Sequence, residues 1–186
     1  QDLPIAIYPG IEEKCYSGGA FTEEDRVLVC YHGISAGTMI AEASDPLLLN
    51  WKKIPGNPVI PEDEAAPDGD PYRLGDPCLW KGEKGYYSLS GSQNGTRLVD
   101  SRPVAHLFFS EDLRNWAYKG PLIEGDVFTS AGEDCAVPYF WPIGNKHILI
   151  FGSHQRGSQY LLGDWSEDDG KFRPFAHDRF CFGPIN

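Results

Sequence analysis

Three carboxylates stand in settings that could do chemistry. Asp76 lies in Gly75-Asp76-Pro77-Cys78-Leu79-Trp80, and Glu133 and Asp134 lie in Gly132-Glu133-Asp134-Cys135-Ala136-Val137-Pro138. Glu133 follows Asp76 by 57 residues. Each phrase sets an acid just before an apolar run that reads as a strand, and similar strands recur at about that spacing along the chain. If those strands are equivalent elements of a radial repeat, Asp76 and the acidic pair occupy matching strand-start positions and face one central pocket. Carboxyl groups converging in this way suit glycoside hydrolysis, in which one acts as nucleophile or base and a second, with a raised pKa, as acid. Each residue also has a plainer reading. An Asp before Pro caps many ordinary turns, and Glu133-Asp134 after Ala131-Gly132 could be a solvated acidic turn.

Weaker candidates flank these three. Ser17 opens a strand and could line the pocket or merely bond the backbone. His154 and Gln155 follow an apolar run and face either the pocket or an ordinary loop. Trp80, with Tyr139, Phe140 and Trp141, could offer stacking faces to a sugar ring or pack between sheets. No Ser-His-Asp arrangement, Gly-rich phosphate loop or metal-ligand spacing is present, so neither a cofactor nor a metal is expected.

The elements that must position these residues are short strands. Arg26–His32, Gly85–Ser90, Val104–Ser110 and His147–Gly152 have strand character, with turn signals at Glu83-Lys84-Gly85, Ile143-Gly144-Asn145-Lys146 and Asp168-Asp169-Gly170. Ser44-Asp45-Pro46-Leu47-Leu48-Leu49-Asn50-Trp51 is echoed by Ser110-Glu111-Asp112-Leu113-Arg114-Asn115-Trp116, with the two Trp 65 residues apart. Gly163-Asp164-Trp165 through Gly170-Lys171-Phe172 reads as a third, degenerate copy. Aligning the copies predicts three four-stranded units, at about 17–55, 75–120 and 134–175, with 1–10 as the end of a preceding unit and a linker. Four strands repeated at this period indicate propeller blades. An all-β sandwich would space its strands as regularly but would not repeat the Ser-x-Asp-Leu-x-Asn-Trp phrase.

Composition agrees with an all-β chain. The 21 Gly and 15 Pro are too many for a helical bundle, and 24 aromatic residues with 41% apolar content argue against disorder. A formal charge of −11 argues against nucleic acid and anionic membranes as partners, since both recruit clustered Lys and Arg. The five Cys are scattered singly, several within apolar runs, and read as buried free thiols rather than disulfides. Asn94-Gly95-Thr96 is a lone glycosylation sequon. No signal peptide or membrane-length apolar run is evident, although an N-terminus processed before Gln1 is compatible.

Taken in order, the phrases resemble glycoside hydrolase family 32, the invertase, inulinase and levanase group. The series runs through Leu3–Pro9, Cys15–Ala20, Tyr31-His32-Gly33, Ser44-Asp45 with Asn50-Trp51, Asn57–Ile60, Asp76-Pro77 and the second Asn-Trp phrase. The resemblance implies a five-bladed β-propeller with about three blades present, and a carbohydrate substrate cleaved at a β-fructosidic bond by a retaining mechanism. It assigns Asp76 to transition-state stabilisation and either Glu133 or Asp134 to the acid/base role. Three departures stand out. The family's Asn-Asp-Pro-Asn-Gly nucleophile phrase is absent, so the nucleophile is expected upstream of Gln1 and these residues alone should not hydrolyse anything. The family's Arg-Asp-Pro reads Gly75-Asp76-Pro77, leaving Arg73 to reach in for the missing Arg. Its Glu-Cys-Pro reads Glu133-Asp134-Cys135-Ala136-Val137-Pro138. An arabinanase-type furanosidase and a non-catalytic sugar-binding propeller are the rival expectations. The remaining blades or another copy of the chain are expected partners. A secreted or periplasmic setting is expected, with a cytoplasmic one also compatible.

Overall fold

The computed structural model describes residues 2–62, 74–92, 105–125, 128–130 and 133–181. Arg73 and the Asn94 sequon lie outside these. Alternating or continuous runs of β-branched and aromatic residues form thirteen strands, with no helix among the described residues. The first sheet holds β1 (Cys15–Glu23), β2 (Arg26–Gly33), β3 (Gly37–Ala43) and β4 (Trp51–Lys53) in chain order, and the two-residue β5 (Ile60–Pro61) pairs with the start of β3. The second holds β6 (Leu74–Lys81), β7 (Tyr86–Ser92), β8 (His106–Ser110) and β9 (Ala117–Pro121). The third holds β10 (Ala136–Ile143), β11 (Lys146–Ser153), β12 (Gly157–Ser166) and β13 (Lys171–Arg179). Every pairing within the sheets is antiparallel.

The sheets stack face to face. Leu28, Ile40, Leu74, Leu79 and Phe108 fill the space between the first and second. Cys78, Leu89, Phe140, Phe151 and Phe172 fill that between the second and third. Each fully buried Leu or Phe contributes roughly 1.5–3 kcal/mol relative to exposure. This sandwiching explains why the middle strands read as apolar runs rather than alternating ones: both of their faces are covered. Main-chain bonds reinforce the second junction, where Phe172 N donates to Leu122 O and Glu124 N to Phe172 O, both at 2.9 Å.

The repeated phrase forms a corner before the fourth strand. In the first copy the Asp45 carboxylate accepts from Leu47 N at 2.9 Å and Asn50 N at 2.6 Å, while Trp51 Nε1 donates to Leu48 O at 3.0 Å. In the second, Asp112 accepts from Arg114 N and Asn115 N, both at 2.9 Å, and Trp116 Nε1 donates to Leu113 O at 3.1 Å. Leu48 and Leu113 both take positive φ, at 58° and 65°. In the third sheet Phe172 holds the position near the start of the fourth strand that the two Trp hold elsewhere, and Trp165 belongs to β12.

The first strands β1, β6 and β10 lie innermost, with β6 packed between the other two and β1 approaching β10. Each begins with a two-residue bulge, between Cys15 and Gly18, Leu74 and Pro77, and Ala136 and Tyr139. A bulge bends the strand and re-aims its side chains. The three starts therefore point their irregular residues toward the zone where the sheets converge.

Candidate functional site at the start of the inner strands

Asp76 is half-buried in the β6 bulge, and its Oδ2 accepts a hydrogen bond of 3.0 Å from Val137 N of the neighbouring sheet. Val137 and Cys135 both hold positive φ, 46° and 47°. Positive φ is costly for a β-branched residue, on the order of 1–3 kcal/mol. The Asp76 carboxylate thus pins a strained backbone.

Glu133 and Asp134 lie just before β10 and are 1% and 4% exposed. Both are gripped by the turn between β11 and β12. Ser153 Oγ shapes that turn by accepting from Gln155 N at 3.2 Å and Arg156 N at 3.0 Å. Arg156 then forms a salt bridge with Glu133 Oε2 and donates to Phe128 O at 3.2 Å. His154 donates its main-chain N to Asp134 Oδ1 at 3.3 Å, and its ring Nδ1 meets Asp134 Oδ2. Glu133 Oε1 and Arg156 Nε are buried with no hydrogen-bond partner among the described residues. Cys135 sits beneath the group. Burial pushes its thiol well above the ordinary range, and the negative charges of Asp134, Glu133 and Asp76 push the same way. The three carboxylates therefore share one electrostatic neighbourhood.

Gly91 of β7 makes this packing possible. A Cβ there would lie 2.2 Å from Cys135 O and 3.0 Å from Asp134 O, so only glycine lets the acidic segment press against the second sheet. His32 of β2 is buried with its Nε2 3.9 Å from Glu62 Oε2. Burial lowers its pKa, against the opposing pull of Glu62 and Asp76. Among the described residues, no group of three His, Cys, Asp or Glu side chains is arranged to hold a metal ion.

With this geometry in view, comparison with known proteins identifies the lineage. Residues 1–181 match the family described as glycosyl hydrolases family 32, N-terminal domain. The chain belongs to glycosyl hydrolase family 32. Sucrose-6-phosphate hydrolase of Klebsiella pneumoniae is 29% identical over 161 residues, covering 79% of this chain and 32% of that protein. The cell wall isozyme of β-fructofuranosidase from Pisum sativum is 28% identical over 163 residues, covering 81% and 28%. Among solved structures, the family 32 β-fructofuranosidase BmSUC1 of Bombyx mori superposes with a TM-score of 0.72 at 24% identity, over 98% of this chain and 41% of that one. A mutant of that enzyme has been solved in complex with sucrose. The three sheets match part of the five-bladed propeller of these enzymes, and the chain spans about a third of the length of the curated relatives it matches.

Within this family 32 chain the structure gathers Asp76, Glu133, Asp134 and His154. Ser17 occupies the β1 bulge and is exposed. The strand registers make Ser17 the counterpart of Asp76, and Pro138 the counterpart on β10. Asp76 and the acidic pair are therefore not at equivalent positions, contrary to the expectation from spacing. The pair lies before its strand, whereas Asp76 lies within the bulge. Trp80 does not join the site. Four residues beyond Asp76, its ring stacks on Tyr87 at 5.5 Å and packs against Phe140 at 5.0 Å within the core between the second and third sheets. Gly75 fills the place of the family's Arg. Arg156 and Gly91 were not singled out from sequence, and His32 entered only as part of the Tyr31-His32-Gly33 phrase, without a site role.

Proposed function

We propose that this chain supplies part of the active site of a glycosidase that cleaves β-fructosidic bonds of the sucrose, levan or inulin type. The observation that carries this reading is the convergence of Asp76 with the buried Glu133–Asp134 pair around Cys135 and Val137, in a chain of family 32. Asp76 holds sugar hydroxyls and strengthens those bonds in the transition state. The acid/base function lies on the Asp134 side of the acidic pair, because the charge of Glu133 is neutralised by Arg156. A nucleophilic carboxylate contributed from outside the described residues, roughly 5–5.5 Å from the acid/base group, completes a retaining mechanism. Membership of family 32 favours this over the arabinanase-type reading.

The test is hydrolysis of sucrose, levan, inulin and arabinan by the full-length protein. Release of fructose from a β-fructoside, lost in Asp76→Asn, is expected. Release of arabinose alone, or of no sugar, would refute the assignment. A sugar-binding role without catalysis is favoured by two observations: Gly75 in place of Arg, and both oxygens of Asp134 engaged by His154. Calorimetric binding of a fructan without turnover would select it.

A further inference from the structure

A cavity of about 420 Å³ opens between the outer strands of the first and second sheets. One wall is the Pro58–Pro61 segment at β5, and the other is Arg114-Asn115-Trp116-Ala117, the corner that leads into β9. The volume falls within the range of small-molecule sites, roughly 300–1,000 Å³. Both walls belong to outer elements of their sheets, whereas Asp76 lies on the innermost strand of the second. The strand register separates the two places further. Tyr86 pairs with Lys81 on one side and Ser110 on the other, so the corner begins beside the end of β6, away from the bulge that holds Asp76.

Both walls are fixed by the fold itself. Asn57, next to Pro58, accepts from Ile40 N at 2.9 Å and donates to Ile40 O at 2.8 Å, and Val59 N donates to Thr38 O at 2.9 Å. Across the cleft, Trp116 Nε1 is committed to Leu113 O, so the indole has only ring surface to offer. Asn115 Nδ2 donates to Asp112 Oδ2 at 2.8 Å. A carboxylate can only accept, which fixes the orientation of the amide and leaves Asn115 Oδ1 without a partner among the described residues. The exposed Arg114 guanidinium likewise has no ion pair or hydrogen bond among the described residues, and only its main-chain N serves Asp112. The corner does not need this Arg in order to close: its first copy has Leu49 at the same place, directly before the Asn.

The unspent groups differ in kind. Arg114 can only donate, Asn115 Oδ1 can only accept, and Trp116 with the two prolines offers apolar ring surface. Neighbouring hydroxyls satisfy a donor and an acceptor together, and the C–H face of a sugar ring covers an aromatic one. An anion fits worse. Glu111, Asp112 and Arg114, two acids and one base, leave a net charge of −1 at the corner. Hydrogen bonds from the main-chain N–H groups of Asn115 and Arg114 hold the Asp112 carboxyl well below the usual carboxylate range, so that charge persists. We propose that this cleft is a second, non-catalytic carbohydrate-binding site, taking a neutral sugar ring with its hydroxyls on Arg114 and Asn115 and its C–H face on Trp116. It stands whether or not the acidic site turns over a fructoside.

The experiment is NMR of the full-length protein with nitrogen-labelled tryptophan, carrying Asp76→Asn so that sugar is not consumed. It is titrated with sucrose, with a short inulin oligosaccharide and with inorganic phosphate. The Trp116 indole resonance, assigned by its loss in Trp116→Phe, should shift saturably with the sugars at millimolar concentration and stay still with phosphate. Arg114→Leu, which copies the first corner, should weaken the sugar response by about 10-fold. Ala117→Leu, which fills part of the cavity, should weaken it as well. The other indole resonances should keep their positions in both variants, reporting an intact fold. No saturable shift at Trp116 would overturn the proposal, as would a shift with phosphate alone or an undiminished sugar response in both variants. In an otherwise wild-type protein Arg114→Leu should leave kcat/KM on sucrose unchanged, and a loss there would make the cleft part of the acidic site rather than a second one. A protein that hydrolyses no fructoside yet shows the Trp116 response would refute the glycosidase reading alone.

Discussion

Glu12 and Glu13 precede Cys15 of β1 as Glu133 and Asp134 precede Ala136 of β10, and the bulged registers make Cys15 and Ala136 equivalent. In both places the first acid is buried and held by a cation, Glu12 by Lys53 at 2.5 Å and Glu133 by Arg156. In both places the second acid is bonded by the side chain two residues beyond the hairpin glycine. The contrast lies in burial: Glu13 is exposed, whereas Asp134 is covered where the Cys135 backbone lies over Gly91 of the second sheet. The clip therefore belongs to the hairpin, and the enclosure that makes it a chemical site belongs to the neighbouring sheet.

The largest effect should come from removing the cations. Arg156→Ala leaves Glu133 charged and buried, with an expected loss of about 3–5 kcal/mol in urea unfolding. Lys53→Ala should cost less, because Glu12 keeps the Tyr31 hydroxyl at 2.8 Å and Gly10 N at 3.2 Å. Equal losses would erase the distinction between the two strand starts. Next comes Gly91→Ala, expected to cost about 1–3 kcal/mol by thermal denaturation. It should loosen the Asp134–His154 contact while leaving Glu13–Ser35 untouched. Asp76→Ala should cost about 1 kcal/mol and speed amide exchange at Val137, with Asp76→Asn restoring most of the protection.

The last effect is the dependence on pH that Glu12 contributes in the first sheet. Burial raises the pKa of Glu12, but hydrogen bonds from Lys53, its own backbone and Tyr31 outweigh it and bring the value down to about 2 from an ordinary 4.5. Its stabilising contribution is present in full above 4.5 and disappears as pH falls toward 2. Glu12→Gln should make that acid limb shallower in a pH series of unfolding midpoints, with the remainder left to carboxylates such as Glu23 and Asp169.

The corner phrases were legible in the sequence because Asp, Asn and Trp act within a few residues of one another. The strand runs were legible because stacked sheets demand apolar residues. The pairing of Glu133 with Arg156 was not, since Glu133 lies before β10 and Arg156 in the turn between β11 and β12, outside the strand ladder that a pattern of apolar residues reveals. Trp80 could have been a sugar platform or core by type alone, and only its stacking on Tyr87 and Phe140 decides for core. The positive φ values at Cys135 and Val137 carry no residue signature, since neither is glycine or asparagine.

The two corners before β4 and β9 are closed by the same contacts over different chain lengths, with Asp45 five residues before its Asn and Asp112 three before its own. A joint defined by which groups close it, rather than by residue count, absorbs insertions and deletions. Copies of an ancestral duplicated unit can then drift in length at this point while the Trp stays anchored, leaving the innermost strands free to diverge in chemistry without disturbing the stack.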